Sequence, residues 1–497
     1  MLNRRTVLAS SALAAATTTL SPLALAQARK SNLVIGMTLE PTGLDPTASA
    51  AASIGEVTLY SIYETLTKIN GDGSVTPLLA ESWEVSPDLK TYTFRLRRGV
   101  KFQNGEPFNA NTVKYSFERA GGEKSTNKDK RTYANIGVQV IDDYTVVLLN
   151  KEIDPDLPFV LGQATAVIVE PKSADTNATK PVGTGPYRLD SYNKGSQLVL
   201  ARWDGYRDPA AAKTQRFTFR FISDPAAQAA SLLSGDVDIF PRAATRIVAQ
   251  FRNNPQFQVI LAGSRAKTIL AINSARKPLN DARVRRAILS AIDRRAVIAG
   301  AADGFGAPIG SHYVPGAPGY VDTTGINPFD IEKGKKLLAD AGVKTPLELT
   351  MTLPPAPYAR QGGEVIVSQL AKIGITVKVQ NVEWAQWIAN TYGGGFNYDL
   401  SIVSHVEPFD LGNYAKPDYY WGYQSKEFSA LFDRIKSSGN TNERNKLLGD
   451  AQRLLAQDAA NGFLYQPQFP TIARRQVKGL WKELPIFAND LAGISWG

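Results

Sequence analysis

The stretch Ser404 to Asn413, SHVEPFDLGN, gathers side chains able to do chemistry: His405, Glu407 and Asp410, next to Ser404 and around Pro408. His405 is one of only 2 histidines in 497 residues, the other being His312. An imidazole beside carboxylates can move a proton, help to hold a metal, or hold a polar ligand by hydrogen bonds. A metal site would need carboxylates to complete it, because the two histidines are far apart in sequence and there is no cysteine. No metal or cofactor is expected. The chain has no G-x-S-x-G elbow, no H-E-x-x-H, no P-loop and no G-x-G-x-x-G. GTGP at Gly183–Pro186 is too short to cradle a phosphate and reads as a rigid turn. A serine–histidine–acid triad can be assembled on any fold, so a hydrolase stands as the alternative to a protein that only binds. No catalytic residue is expected.

The elements that must position this stretch alternate between strands and helices. YDLSIV (Tyr398–Val403), just before it, reads as a buried strand ending at the polar cluster. TYTFRLRRG puts Tyr92, Phe94 and Leu96 on one face, as a half-buried strand does, and RFTFRFI (Arg216–Ile222) alternates likewise. Asn109 is placed to cap a helix whose Ala110, Val113 and Phe117 share a face. VQVIDDYTVVLLN reads as a hairpin turning at Asp142-Asp143. Asp224, Pro225 and Gly235 mark the cap, first turn and stop of another helix. Val284, Ile288 and Ile292 predict one helix ending at Gly300. LELTMTL, VIVSQLAKIG, ITVKVQ and EWAQWIAN continue the alternation, which argues for α/β lobes.

The length exceeds what one hydrophobic core supports, so two or three domains are expected. Residues 1–28, with Arg4 and Arg5 before a weakly apolar run and an ALA ending at Ala26, read as a cleaved export signal. NRRTVL resembles the twin-arginine motif, and a Sec signal is the alternative. The run is too short and polar to span a bilayer. With no cysteine there is no disulfide and no residue to carry a lipid after the signal, so a Gram-negative periplasm is the expected compartment. The net charge of +10 falls to +8 once Arg4 and Arg5 leave with the signal. The bases are scattered and do not interleave with a row of aromatics, so nucleic acid is not an expected partner.

A resemblance covers essentially the whole mature chain. Leu78–Arg119 resembles the signature region of the family 5 solute-binding proteins, the extracytoplasmic receptors of peptide, nickel and opine ABC importers. PVGTGPYRL (Pro181–Leu189), PLNDARVRRAILSAIDRRAVI (Pro278–Ile298), IGITVKVQNVEWAQW (Ile373–Trp387) and PTGLDPTAS (Pro41–Ser49) agree with it in order. The resemblance implies an α/β, two-lobed periplasmic-binding-protein fold with a hinge and an inserted third domain. Lobe one would combine 29–63, 182–270 and 470–497, the inserted domain would be 64–181, and lobe two 271–469. It implies a monomer that closes on a peptide-like or other small organic solute and delivers it to an ABC permease with ATPase subunits. A sensor or chaperone-type binding role is a further alternative.

In peptide-binding relatives the corresponding loop carries an aspartate four residues before a proline, and that carboxylate pairs with the peptide's α-ammonium group. Alignment on Pro408 puts Ser404 there, which offers a hydrogen bond and no charge. Glu407 or Asp410 could substitute only in a reshaped loop. His405 either meets the ligand or bonds to backbone. Trp384, Tyr420 and Trp421, among the rings that bracket the loop, either stack on a ligand or pack the lobe. The family placement adds Phe240 and Arg242, the latter suited to a carboxylate or phosphate unless it is a surface arginine. Thr38 and Glu40, at the exit of the first strand, complete the candidates.

Overall fold

A computed structural model describes residues 31–497 except 50 and 394, so the expected export signal lies outside the described residues. Alternating apolar residues build the first lobe around the strand Asn32–Met37, where Leu33, Ile35 and Met37 are buried. It pairs in parallel with Arg216–Phe221, which continues antiparallel into Gln197–Arg202 and Tyr187–Asn193. In the second lobe Leu347–Leu353 is flanked in parallel by Ile375–Asn381 and Leu400–His405. Lys267–Ile272, buried along its whole length, lies antiparallel to Leu400–His405.

One long strand, Gly462–Arg474, joins the lobes. Its later residues pair with Phe257–Gly263 of lobe one, and its earlier residues pair with Lys267–Ile272 of lobe two. The chain therefore crosses at 264–266 and again within a single continuous strand. The boundary expected at 270/271 falls inside Lys267–Ile272, which belongs with lobe two by its pairing. Ser264 and Gln466 tie the crossing: Ser264 Oγ donates to Pro467 O at 3.0 Å and Gln466 Nε2 to Ser264 O at 2.7 Å.

The inserted domain has its own core. Ala80–Val85, Thr91–Leu96, Thr145–Asn150 and Ile136–Asp142 form a four-stranded antiparallel sheet, and the helix Ala110–Gly121 covers one face through Ala110, Val113 and Phe117. Asn109 caps that helix, accepting from Asn111 N and Thr112 N. GTGP is the turn by which the chain leaves this domain. A Cβ on Gly183 or Gly185 would lie 2.0 or 2.2 Å from the carbonyl oxygens of Ile62 and Ser61, so only glycine permits that approach.

One helix differs from expectation. Residues 282–302 form two helices, Ala282–Ser290 and Arg294–Ala302, because Asp293 turns its carboxylate onto Arg295 N and Ala296 N and starts a new one. Gly300 is inside the second, which ends at Asp303 in the left-handed region. No described helix is long and apolar enough to cross a membrane.

Candidate functional site

The strand Leu400–His405 delivers the polar stretch to the crossing between lobes. Its register sets His405 opposite Lys267 and Ser404 opposite Thr268. Ser404 N donates to the Tyr358 hydroxyl at 3.0 Å, and Thr268 Oγ1 donates to Ser404 Oγ at 3.3 Å. The chain then runs through Val406–Phe409 into the short helix Asp410–Ala415, which turns Asp410 inward.

Asp410 is the centre of a buried network. His312 Nε2 donates to Oδ1 at 2.9 Å, and His405 Nδ1 donates to Oδ2 at 2.9 Å. The Lys267 ammonium, with 1% of its side chain exposed, also pairs with Oδ1 and donates to the Glu407 carbonyl. The remaining ring nitrogens accept: His405 Nε2 from Tyr420 OH at 2.9 Å, His312 Nδ1 from Tyr414 OH at 3.1 Å. Asn461 in turn donates to Tyr414 OH at 2.9 Å. Every polar group has a partner when both histidines are neutral. Burial pushes His312 down to about 4, against the pull of Asp410. Burial alone would raise Asp410, yet the charges and hydrogen bonds around it hold it well below the usual carboxylate range.

The donor atoms of His312, His405 and Asp410 lie within 4.8 Å of one another, so folding unites histidines that sequence keeps apart. Lys267 already supplies the cation on Asp410, and the imidazoles present N–H to it. The cluster is a hydrogen-bonded ion pair that fastens the loop to the lobe-two strand Lys267–Ile272.

Beside it lies the cleft, a cavity of about 380 Å³. Lobe one contributes residues between Pro46 and Leu59 and the C-terminal stretch Leu484–Phe487. The inserted domain adds Lys128 and Gln163–Thr165, the crossing adds Ser264–Ala266, and lobe two adds Val406–Pro408. A second cavity of about 290 Å³ shares Val406 and Glu407 with it and is walled by Trp384, Trp387, Ile388, Tyr392, Ser404 and His405. Trp384 is 43% exposed there. A π-helical turn, Ile388–Tyr392, presents part of this wall, an irregularity frequent at functional sites.

Of the expected ligand residues, Ser404, His405, Glu407 and Trp384 line these cavities. The others need correction. Asp410 is committed inward to Lys267 and both imidazoles. Tyr420 and Trp421 are fully buried, packed with Tyr414 and Phe463 in the lobe-two core. Phe240 is core in lobe one, its ring over Gly36. Arg242 pairs with Glu56 and lies over the Phe487 ring, outside the main cleft. Glu40 accepts from Tyr192 OH at 2.8 Å and Gly195 N at 2.9 Å, and Thr38 accepts weakly from Gln228. The residues missed include Arg265, Gln163 and Leu484–Phe487, which lie in no motif that single-sequence reasoning could mark.

Two α/β lobes joined by a shared strand, with a cleft at the joint, define a solute-binding protein. The sequence profile of bacterial extracellular solute-binding proteins, family 5 (middle region), matches residues 74–426, and the chain belongs to that family. It is 27% identical to di/tripeptide-binding protein 1 of Pseudomonas aeruginosa (strain UCBPP-PA14), over 90% of this chain and 92% of that one. It is 26% identical to the dipeptide-binding protein of Escherichia coli (strain K12), over 88% and 90%. Among solved structures, it superposes on the periplasmic binding protein AgaA in complex with agropinic acid, from A. tumefacien R10, with a TM-score of 0.72, 26% identity and coverage of 94% and 99%. The unliganded open form of the murein tripeptide-binding protein MppA gives a TM-score of 0.84 at 22% identity, covering 94% and 97%, a likeness of fold.

Proposed function

We propose that this chain is the periplasmic substrate-binding component of an ABC importer, and that it captures a peptide-like or other small organic solute lacking a free α-ammonium group. The observation that carries the reading is the cleft, walled by both lobes and the inserted domain and floored by the residues that cross between them. A solute touching both walls favours the closed arrangement, which a permease with its ATPase subunits can read. Export by a twin-arginine or Sec signal, absence of a lipid anchor and a monomeric state belong to the same reading. Binding without turnover fits the histidines: their acceptor nitrogens are taken by the hydroxyls of the buried Tyr420 and Tyr414 and not by a serine nucleophile.

The solute class follows from Ser404. In the aromatic cavity it supplies a hydroxyl, and Asp410 cannot replace the missing anion because it faces the network. Glu407 is the acid that remains, exposed at the rim and accepting from Val406 N at 3.2 Å. A buried ammonium without a partner loses several kcal/mol, enough to erase micromolar affinity. Calorimetry with a tripeptide and its N-acetyl form tests this. The N-acetyl form should bind at least as well, and Ser404→Asp should improve free-peptide affinity by about tenfold or more. Tight binding of the free peptide alone would refute it and transfer the role to Glu407.

A further inference from the structure

Arg265 lies between Ser264 and Ala266 in the crossing, and all three line the cleft. The residue is 8% exposed, so more than nine-tenths of it is buried. A guanidinium has five N–H donors, yet Arg265 has one long hydrogen bond among the described residues, Nη2 to Asp72 O at 3.5 Å. Arg285, the other buried arginine among the described residues, and the partly buried Arg207 are better occupied. Arg285, 6% exposed, donates to Ala459 O, Leu279 O and Asp458 O at 2.8–3.0 Å. Arg207 grips Glu64 with two bonds of 2.6 and 2.7 Å.

The nearby acids do not complete Arg265. The Asp72 carboxylate accepts from Ser74 N and Oγ at 2.9 and 2.6 Å. Glu483 acts on Arg265 only through the field, outside the ion pairs of the described residues, and burial leaves the guanidinium's pKa lowered. Of the other charges lining the cleft, Lys128 is taken by Asp129 at 2.8 Å, and Glu407 lies at the lobe-two lip shared with the aromatic cavity. The unbonded donors of Arg265 keep a small exposure and are not among the buried donors without a partner, so they remain open to an anion in place of water. Guanidinium geometry matches carboxylates and other oxyanions with two parallel bonds.

We propose that Arg265 is the anion-recognition residue of the cleft, so that the captured solute carries a carboxylate or another oxyanion at its end nearest the lobe crossing. The rest of the solute then extends past Val406 and Glu407 toward Trp384 and Tyr392, where an apolar or ring-bearing part fits. Glu407 repels an anion placed the other way round and so fixes the orientation.

This inference rests on the cleft being the solute site, and its test uses the other end of the probe from the N-acetylation test. N-acetyl-Phe-Ala and its C-terminal amide are compared by calorimetry. The acid should bind at least tenfold more tightly. Arg265→Gln should equalise the two, and Arg265→Lys should restore part of the preference. In a second arm, sulfate at constant ionic strength should raise the Tm of the wild type more than that of Arg265→Gln. A sulfate effect without a carboxylate preference assigns the site to another oxyanion. Equal binding of acid and amide by the wild type, together with equal sulfate response in wild type and Arg265→Gln, overturns the proposal. Should Arg265→Gln fail to fold, equal binding of acid and amide by the wild type, together with no rise of its Tm in sulfate at constant ionic strength, decides against it. Failure of the N-acetyl form beside a tightly bound free peptide would overturn the solute reading instead, and the acid-to-amide comparison is then made with free Phe-Ala and its amide, where the same preference for the acid and the same loss in Arg265→Gln are expected.

Discussion

Lys267 has 1% and Asp410 has 7% of its side chain exposed, and each is the other's countercharge. Replacing Lys267 with methionine leaves a carboxylate buried without its cation, which should cost about 3–5 kcal/mol. Urea unfolding followed by tryptophan fluorescence measures this, and a loss below about 1 kcal/mol would show that the imidazoles suffice. The same network gives stability a direction with pH. His312 keeps its folded pKa near 4 because of burial, while its ordinary value is 6.5. Between those values the unfolded chain takes up a proton that the folded chain refuses, so stability falls as pH falls through that window, by up to about 3 kcal/mol. Asp410, held below its ordinary 3.8, adds its own loss below that pH. Stability curves for wild type and His312→Gln should therefore converge toward pH 4. Parallel curves from pH 6.5 to 4 would exclude His312 as the source.

Among elements, the inserted domain also touches lobe two. Asp156 pairs with Arg444 of the helix Thr441–Gln457 at 2.6 Å, and the rings of Phe159 and Phe409 meet edge to face at 4.9 Å. Next to the pair, Asp154 is raised to about 6, by burial first and then by the charge of Asp156. Above pH 6 the folded chain holds that ionised carboxylate less well than the unfolded chain does. Asp154→Asn keeps an acceptor for Asp156 N, now bonded at 3.0 Å, and removes the charge. It should stabilise the protein by about 1–2 kcal/mol at pH 7.5, and the gain should fade as pH drops toward 4. A gain that does not change with pH would point to packing instead of charge. The elements were legible in sequence where the signal was local: Asn109 and Asp224 cap the expected helices, and the strands alternate as read. The break at 291–293 was hidden because Val284, Ile288 and Ile292 keep helical spacing across it. Tyr420 and Trp421 were misplaced for another reason: an aromatic residue has the same spacing whether it packs a core or walls a cleft. Network and cleft draw on segments as distant as Lys267, His312 and Asp410, or Pro46, Arg265 and Phe487, and no local periodicity encodes such meetings.

For the whole molecule, the crossing sets how the lobes can move. The passages at 264–266 and within Gly462–Arg474 are bound to each other through Ser264, Gln466 and Pro467. On the proposed reading the lobes close by rotation about a short paired segment, because separating the two passages would break buried hydrogen bonds. The ligand loop is tied to the lobe-two side of that segment by Lys267, which binds Asp410 and the Glu407 carbonyl, so Val406–Pro408 moves with its lobe. On the proposed reading, a solute bridging Arg265 and the aromatic wall gains contacts mainly when the lobes approach, and its affinity shifts the equilibrium. Saturating solute should lower the radius of gyration in solution scattering. It should also raise Tm with concentration, as binding to the native state alone requires, by about 2.7 kcal/mol of apparent stability at a hundred times Kd. Lys267→Met, which frees the loop from the moving lobe, should weaken binding and reduce the compaction together. If the variant bound solute as tightly as the wild type and compacted as much, the loop's attachment would have no part in closure.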